Sequence, residues 1–132
     1  MAGDFTHPQN HIWTEHRIGD RYKEILPVKK ILDSGAHVTL SSDWDVSSLN
    51  PLVGISNVVK FGHMNLKQAL KAYTIKGAYA LRQEKITGTL ELGKVADLII
   101  LNKNLFNISA DELKSAVVIR TILDGKTVYA KK

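Results

Sequence analysis

The sequence predicts an α/β fold, and three observations carry that prediction. A helical apolar pattern from Arg21 to Ser34 stops at Gly35, an apolar, β-branched run Val38-Thr39-Leu40 follows, and a second helical pattern opens at Pro51. Helix, glycine stop, strand and helix again is the order of an α/β unit. The predicted strand, residues 37–41, ends abruptly in Ser42-Asp43-Trp44-Asp45. Polar groups thus stand where the chain leaves the sheet, and in barrels of parallel strands the reactive groups sit at that end.

The first 20 residues are rich in polar and turn-forming types, with Pro8 and Gly19 interrupting any regular pattern. His7, His11 and His16 fall in this stretch. Three histidines invite a metal site, but histidines spaced this loosely in a loop are ordinarily solvated, so they receive no ligand role. Between Arg21 and Ser34 the residues Ile25, Leu26, Val28, Ile31 and Leu32 recur at helical spacing, and Pro27 suits a first turn or a local break. One helix or two short ones should lead into the strand.

Beyond the polar loop 42–50, Leu52, Val53, Ile55, Val58 and Val59 give the Pro51 helix an apolar side. Asn65 is a suitable N-cap for a helix from Leu66 to Tyr73, and small residues continue to Leu81. Tyr73 and Tyr79, at helical spacing, are expected in the core. After about Lys85 the texture changes. Gly88 and Gly93 punctuate turns, Leu98 to Leu101 is a continuous apolar strand, and Ser109-Ala110-Asp111-Glu112 is a capping box. Val117 to Leu123, Asp124-Gly125, then Lys126 to Tyr129 is a hairpin signature. The boundary falls near residue 85: residues 1–85 are α/β, and residues 86–132 form a small, mostly β part.

Composition narrows the function. A chain of 132 residues is about one domain. Its 44% hydrophobic and 23% charged residues are ordinary for a globular protein. Apolar runs fall well short of the ~20 residues that cross a bilayer, and there is no signal-peptide pattern, so no membrane partner is expected. The absence of cysteine excludes disulfides and thiolate ligands, fits a reducing compartment such as the cytoplasm, and leaves nitrogen and oxygen donors for any metal. The net charge of +5 comes from dispersed lysines on helix faces (Lys29, Lys30, Lys67, Lys71), with no aromatic and basic platform beside them. Nucleic acid is therefore not an expected partner.

The chemistry concentrates on Asp43. A carboxylate at the C-terminal end of a barrel strand can bind a divalent cation through one oxygen and hold a proton on the other. The plain alternative is that Asp43 or Asp45 caps the following turn with its own side chain. One carboxylate alone makes no site.

Two stretches together supply context: Ser42-Asp43-Trp44 after an apolar strand, and Gly88-Thr89-Leu90-Glu91-Leu92-Gly93-Lys94-Val95-Ala96-Asp97-Leu98-Ile99-Ile100-Leu101 downstream. They resemble the C-terminal part of metal-dependent amidohydrolases, the superfamily of imidazolonepropionase, dihydroorotase and cytosine deaminase relatives, and particularly the branch known as amidohydrolase family 3. Leu66 to Leu81 and Ile122 to Tyr129 are similar to that branch as well, and the resemblance runs from about Arg17 to Tyr129. It implies the C-terminal part of a (β/α)8 TIM barrel, with strand 37–41 as its last strand, plus strands of a small β-sandwich composite domain. It also implies hydrolysis of a C–N bond, in an amide or cyclic amide, by water activated on a divalent metal, zinc above all. By the resemblance Asp43 is the aspartate after the eighth strand, which ligates metal and shuttles a proton. Asp45 has no such role, and Lys94 and Asp97 stabilise a sandwich turn.

The departures are as informative. The family holds its metal with a His-x-His pair, a lysine or glutamate, and further histidines from earlier strands, and this chain contains no His-x-His. His37 stands at the wrong end of its strand, and His63, before a helix, is expected to be exposed. The expectation is therefore a C-terminal fragment, inactive alone, whether a truncated product or one piece of a split enzyme. A second class of function is a non-catalytic module that self-associates. Partial barrels leave strand edges uncovered, so a homodimer or larger oligomer is expected, joined through sheet edges or the helix faces 52–59 and 66–81. The other expected partners are the missing N-terminal part and a small amide-type substrate.

Overall fold

The computed structural model of the chain describes residues 12–25 and 27–132. Its elements in order are α1 (Ile12–Ile18), a 3-10 turn (Gly19–Glu24), α2 (Val28–Asp33), α3 (Pro51–Lys60), α4 (Leu66–Tyr73) and α5 (Ile75–Ala80). There follow β1 (Leu98–Leu101), short 3-10 helices at Leu105–Asn107 and Ala110–Ser115, β2 (Val118–Leu123) and β3 (Lys126–Ala130). Among the described residues the fold is mixed α/β with a small antiparallel sheet in the order β1-β2-β3.

Local chemistry sets most of these boundaries. The Asn50 side chain accepts from the Leu52 N–H at 3.0 Å, with Pro51 at the first helical position where its missing N–H costs nothing. At α4, Gln68 N–H donates to Asn65 Oδ1 at 2.8 Å, while Asn65 N–H donates to Gln68 Oε1 at 2.9 Å. This reciprocal cap satisfies two backbone donors that the helix itself leaves unpaired. The α2 helix ends with Gly35 at φ +80°, its N–H returning to the Leu32 carbonyl at 3.0 Å. Between β2 and β3, Asp124 and Gly125 take φ +48° and +73°, as a two-residue hairpin turn requires.

The core joins both halves of the sequence. Val28, Val38, Leu40 and Leu52 are buried together with Leu105, Leu113 and Ala116 from the tail. The contact is made chiefly by α3 against Ala110–Ser115. The buried Ser56 hydroxyl donates to the Ala110 carbonyl at 2.8 Å, and Lys60 pairs with Asp111. Hydrogen bonding to Lys60 holds the Asp111 carboxyl below its usual range. Glu112 is lowered by accepting from the Ser109 hydroxyl and N–H, at 2.7 and 2.9 Å.

A group with a depressed folded pKa stabilises the fold above its unfolded value and loses that contribution as pH falls through the folded one. Acid titration should therefore loosen residues 110–115 as pH drops below the ordinary values, 4.5 for Glu112 and then 3.8 for Asp111. Hydrogen exchange at these amides reads the effect. The double variant Asp111→Asn, Glu112→Gln should flatten its acid limb, and an unchanged limb would contradict the assignment.

Residues 37–41 differ from expectation. The segment is extended, with a single bridge at Ser41 and no ladder among the described residues. Val38 and Leu40 are nonetheless buried, and the Leu40 N–H donates to the Ala72 carbonyl near the end of α4 at 3.2 Å. A strand exists through its neighbours, and here a helix carbonyl takes the amide that a neighbouring strand would take.

Candidate functional site

Asp43 stands three residues past buried Leu40, in a turn that projects from the core. Its backbone is left-handed, φ +51°, a conformation that Asp and Asn adopt more readily than other side-chain-bearing residues. Val46 N–H donates to the Asp43 carbonyl at 2.7 Å, and Ser47 Oγ donates to the Ser42 carbonyl at 2.6 Å. These bonds close the turn without using the Asp43 carboxylate, which lies on an exposed residue. The capping alternative thus loses its main support at Asp43. Asp45 is exposed on the same turn.

Around this carboxylate the loop presents large apolar side chains to solvent: Trp44, Val46 and Leu49 are 66%, 60% and 65% exposed. No signal of period or composition in the sequence separates such residues from core.

The histidines do not gather near it. His7 and His11 lie outside the described residues, and His16 is exposed in the last turn of α1. His37 stacks on Tyr79, ring centroids 4.4 Å apart and planes 19° from parallel. Tyr79 is therefore not core as expected: it is 51% exposed, because α5 turns that side outward and keeps Ala78 in. Tyr73 does pack against the core. His63 is half-buried rather than exposed, since its N–H folds back to the Val58 carbonyl at 2.9 Å behind α3.

Among the described residues no three His, Asp or Glu side chains stand close enough to hold a metal ion. Structural and catalytic zinc need three or four protein ligands. The described residues therefore do not fit a complete metal centre by themselves, and Asp43 is at most one donor. The downstream signature residues make local contacts in the β part. Asp97 Oδ1 accepts from the Asp124 N–H at 2.8 Å, tying β1 to the hairpin turn, and Lys94 Nζ donates to Thr89 Oγ1 at 2.6 Å. Gly88 lies against α5, where Ala78 and Ile75 leave no room for a side chain. Beside it opens an apolar cleft of about 640 Å³ between α5 and the sheet, lined by Tyr73, Leu81, Leu90, Leu98 and Ile122 among others. Asp43 is not part of its lining.

The chain as a whole matches known proteins. Residues 2–129 match the amidohydrolase family. The chain is 29% identical over 119 residues to the N-substituted formamide deformylase of Arthrobacter pascens, covering 82% of this chain and 22% of that protein. It is 30% identical over 110 residues to the imidazolonepropionase of Porphyromonas gingivalis, covering 80% and 26%. The crystal structure of an amidohydrolase from Thermotoga maritima superposes with a TM-score of 0.69 at 28% identity, over 79% of this chain and 26% of that one. The protein belongs to the amidohydrolase family. It spans about a quarter of the length of these relatives.

Proposed function

We propose that this chain is the C-terminal part of a hydrolase that cleaves the C–N bond of a small amide or cyclic amide with water, and that Asp43 moves the proton. The observation that carries the reading is the Asp43 turn: an exposed carboxylate, not used to close its own turn, at the end of a buried extended segment in an amidohydrolase chain. A carboxylate so placed can take a proton from the attacking water and give it to the departing nitrogen, which leaves as a neutral amine. The names of the relatives, a formamide deformylase and an imidazolonepropionase, support a C–N bond as the target.

In this reading residues 1–85 belong to the end of a (β/α)8 barrel and residues 86–132 to a small β-sandwich. Asp43 would also give one oxygen to a divalent metal, zinc by the family resemblance. Because the described residues do not complete such a site, the step assigned to this chain is the proton transfer alone, and the chain by itself is inactive. The lack of cysteine supports a reducing compartment such as the cytoplasm, and no helix among the described residues is long and apolar enough to cross a membrane.

Equilibrium dialysis against zinc tests the division of ligands. The isolated chain should retain less than stoichiometric metal. The same chain joined to the N-terminal three quarters of a relative should retain it, and Asp43→Asn should weaken that binding. Stoichiometric zinc held by the isolated chain, and lost on replacing His7, His11 or His16, would overturn the reading.

A further inference from the structure

Two peptide planes flank the Asp43 Cα, and because each peptide is planar, their orientations fix φ and ψ there and with them the direction of the side chain. The plane before it contains the Ser42 carbonyl, whose oxygen accepts from Ser47 Oγ at 2.6 Å. The plane after it contains the Asp43 carbonyl, which accepts from the Val46 N–H at 2.7 Å. Each plane thus has a bond that holds it. The second bond is backbone to backbone and is indifferent to most substitutions. The first depends on one side chain, that of Ser47.

The holding is needed, because φ at Asp43 is +51°, a left-handed backbone that a non-glycine residue keeps only where its surroundings enforce it. The loop is anchored on both sides. Leu40 is buried three residues before Asp43, and beyond the turn Ser48 Oγ accepts from the N–H of Asn50, the cap of α3, at 3.2 Å. Ser42 and Ser47 are themselves half-buried, where a lower dielectric strengthens the bond between them.

We infer that Ser47 is a positioning residue for the proton transfer: by holding the Ser42 carbonyl it keeps Asp43 left-handed, and so aims the carboxylate at the attacking water and the departing nitrogen. The inference rests on the proposed hydrolytic reading and adds to it the group that orders the Asp43 turn. Ser47 acts through Asp43 and takes no part in the transfer itself. Alanine at this position leaves the carboxylate and its chemistry in place but frees the 42–43 peptide to turn, and Asp43 then relaxes toward an ordinary negative φ. A reacting group misplaced by about 1 Å costs about 10²-fold in rate. Threonine keeps the hydroxyl donor and with it the geometry.

NMR coupling constants that report φ, measured on the chain of 132 residues, test the geometry without any need of turnover. The expected result is a positive φ at Asp43 in the parent and in Ser47→Thr, lost in Ser47→Ala while amide signals outside the 42–50 loop stay those of the parent. A positive φ retained in Ser47→Ala would overturn the inference. So would loss of the whole fold in that variant, because Ser47 would then hold the chain and not the turn. The chemistry is read in the chain joined to the N-terminal three quarters of a relative. There Ser47→Ala should lower kcat about 10- to 10²-fold with KM near that of the parent, and Ser47→Thr should restore it. Added to Asp43→Asn, Ser47→Ala should cost nothing further, since the group it positions is already gone. Equal losses in both backgrounds contradict action through Asp43. Turnover that falls in Asp43→Asn but not in Ser47→Ala overturns this inference and leaves the hydrolytic reading standing, whereas undiminished turnover in Asp43→Asn removes both.

Discussion

Replacing Gly88 by alanine is expected to destabilise the fold by about 2–5 kcal/mol, combining overpacking with forced backbone strain. A Cβ built there would lie 2.8 Å from the Ala78 Cβ and 2.9 Å from the Ile75 Cα, far inside the separation of about 3.5–4.0 Å at which carbon atoms attract. The obstacle is helix backbone and a buried alanine, neither of which can swing aside as a long side chain would. The residue also sits at φ +92°, where an L side chain is strained whatever the space. Gly93 isolates the second contribution: its φ is +90°, but nothing lies within 4 Å of the added carbon. Denaturant unfolding followed by circular dichroism should show Gly88→Ala losing clearly more stability than Gly93→Ala. Equal losses would mean that the close approach of the 87–90 turn to α5 contributes nothing.

What the sequence reveals here follows the range of the interaction. Pro51, the Asn65 and Gln68 pair and Asp124-Gly125 act within a turn or two of themselves, and the helices at Pro51–Lys60 and Leu66–Tyr73 and the hairpin stand where those signals put them. The 37–41 segment reads as a strand because its residues are apolar and β-branched. A ladder, however, depends on partners remote in sequence, and among the described residues the Leu40 amide finds the Ala72 carbonyl instead. Tyr79 reads as core by periodicity, yet stacks on His37 at the surface, because a six-residue helix buries too narrow a stripe to hold both Ala78 and a tyrosine. The link from Ser56 to the Ala110 carbonyl spans 54 residues and leaves no local trace. At the candidate site, Asp43 was legible from an apolar run that stops in acids. Its φ of +51° and the Ser47 bond that closes its turn were not, because both are properties of the folded loop.

The largest effect on chemistry is expected at Asp43. In the chain joined to the N-terminal three quarters of a relative, Asp43→Asn should lower turnover about 10²–10⁴-fold, the range that positioned proton transfer contributes. Asparagine keeps the shape and, like aspartate, tolerates a left-handed backbone, but its amide cannot take the proton from water. The bonds that close the turn come from the Asp43 carbonyl and from Ser47, so the loop should survive the change. Asp45, exposed two residues along the same turn, is the matched control. The deciding measurement is therefore the turnover number of Asp43→Asn beside that of Asp45→Asn, on one C–N-bonded substrate and with thermal unfolding run in parallel. The account predicts a loss of about 10²-fold or more for Asp43→Asn alone, with both variants folded as the parent. Equal losses in the two, or undiminished turnover without the Asp43 carboxylate, would contradict it.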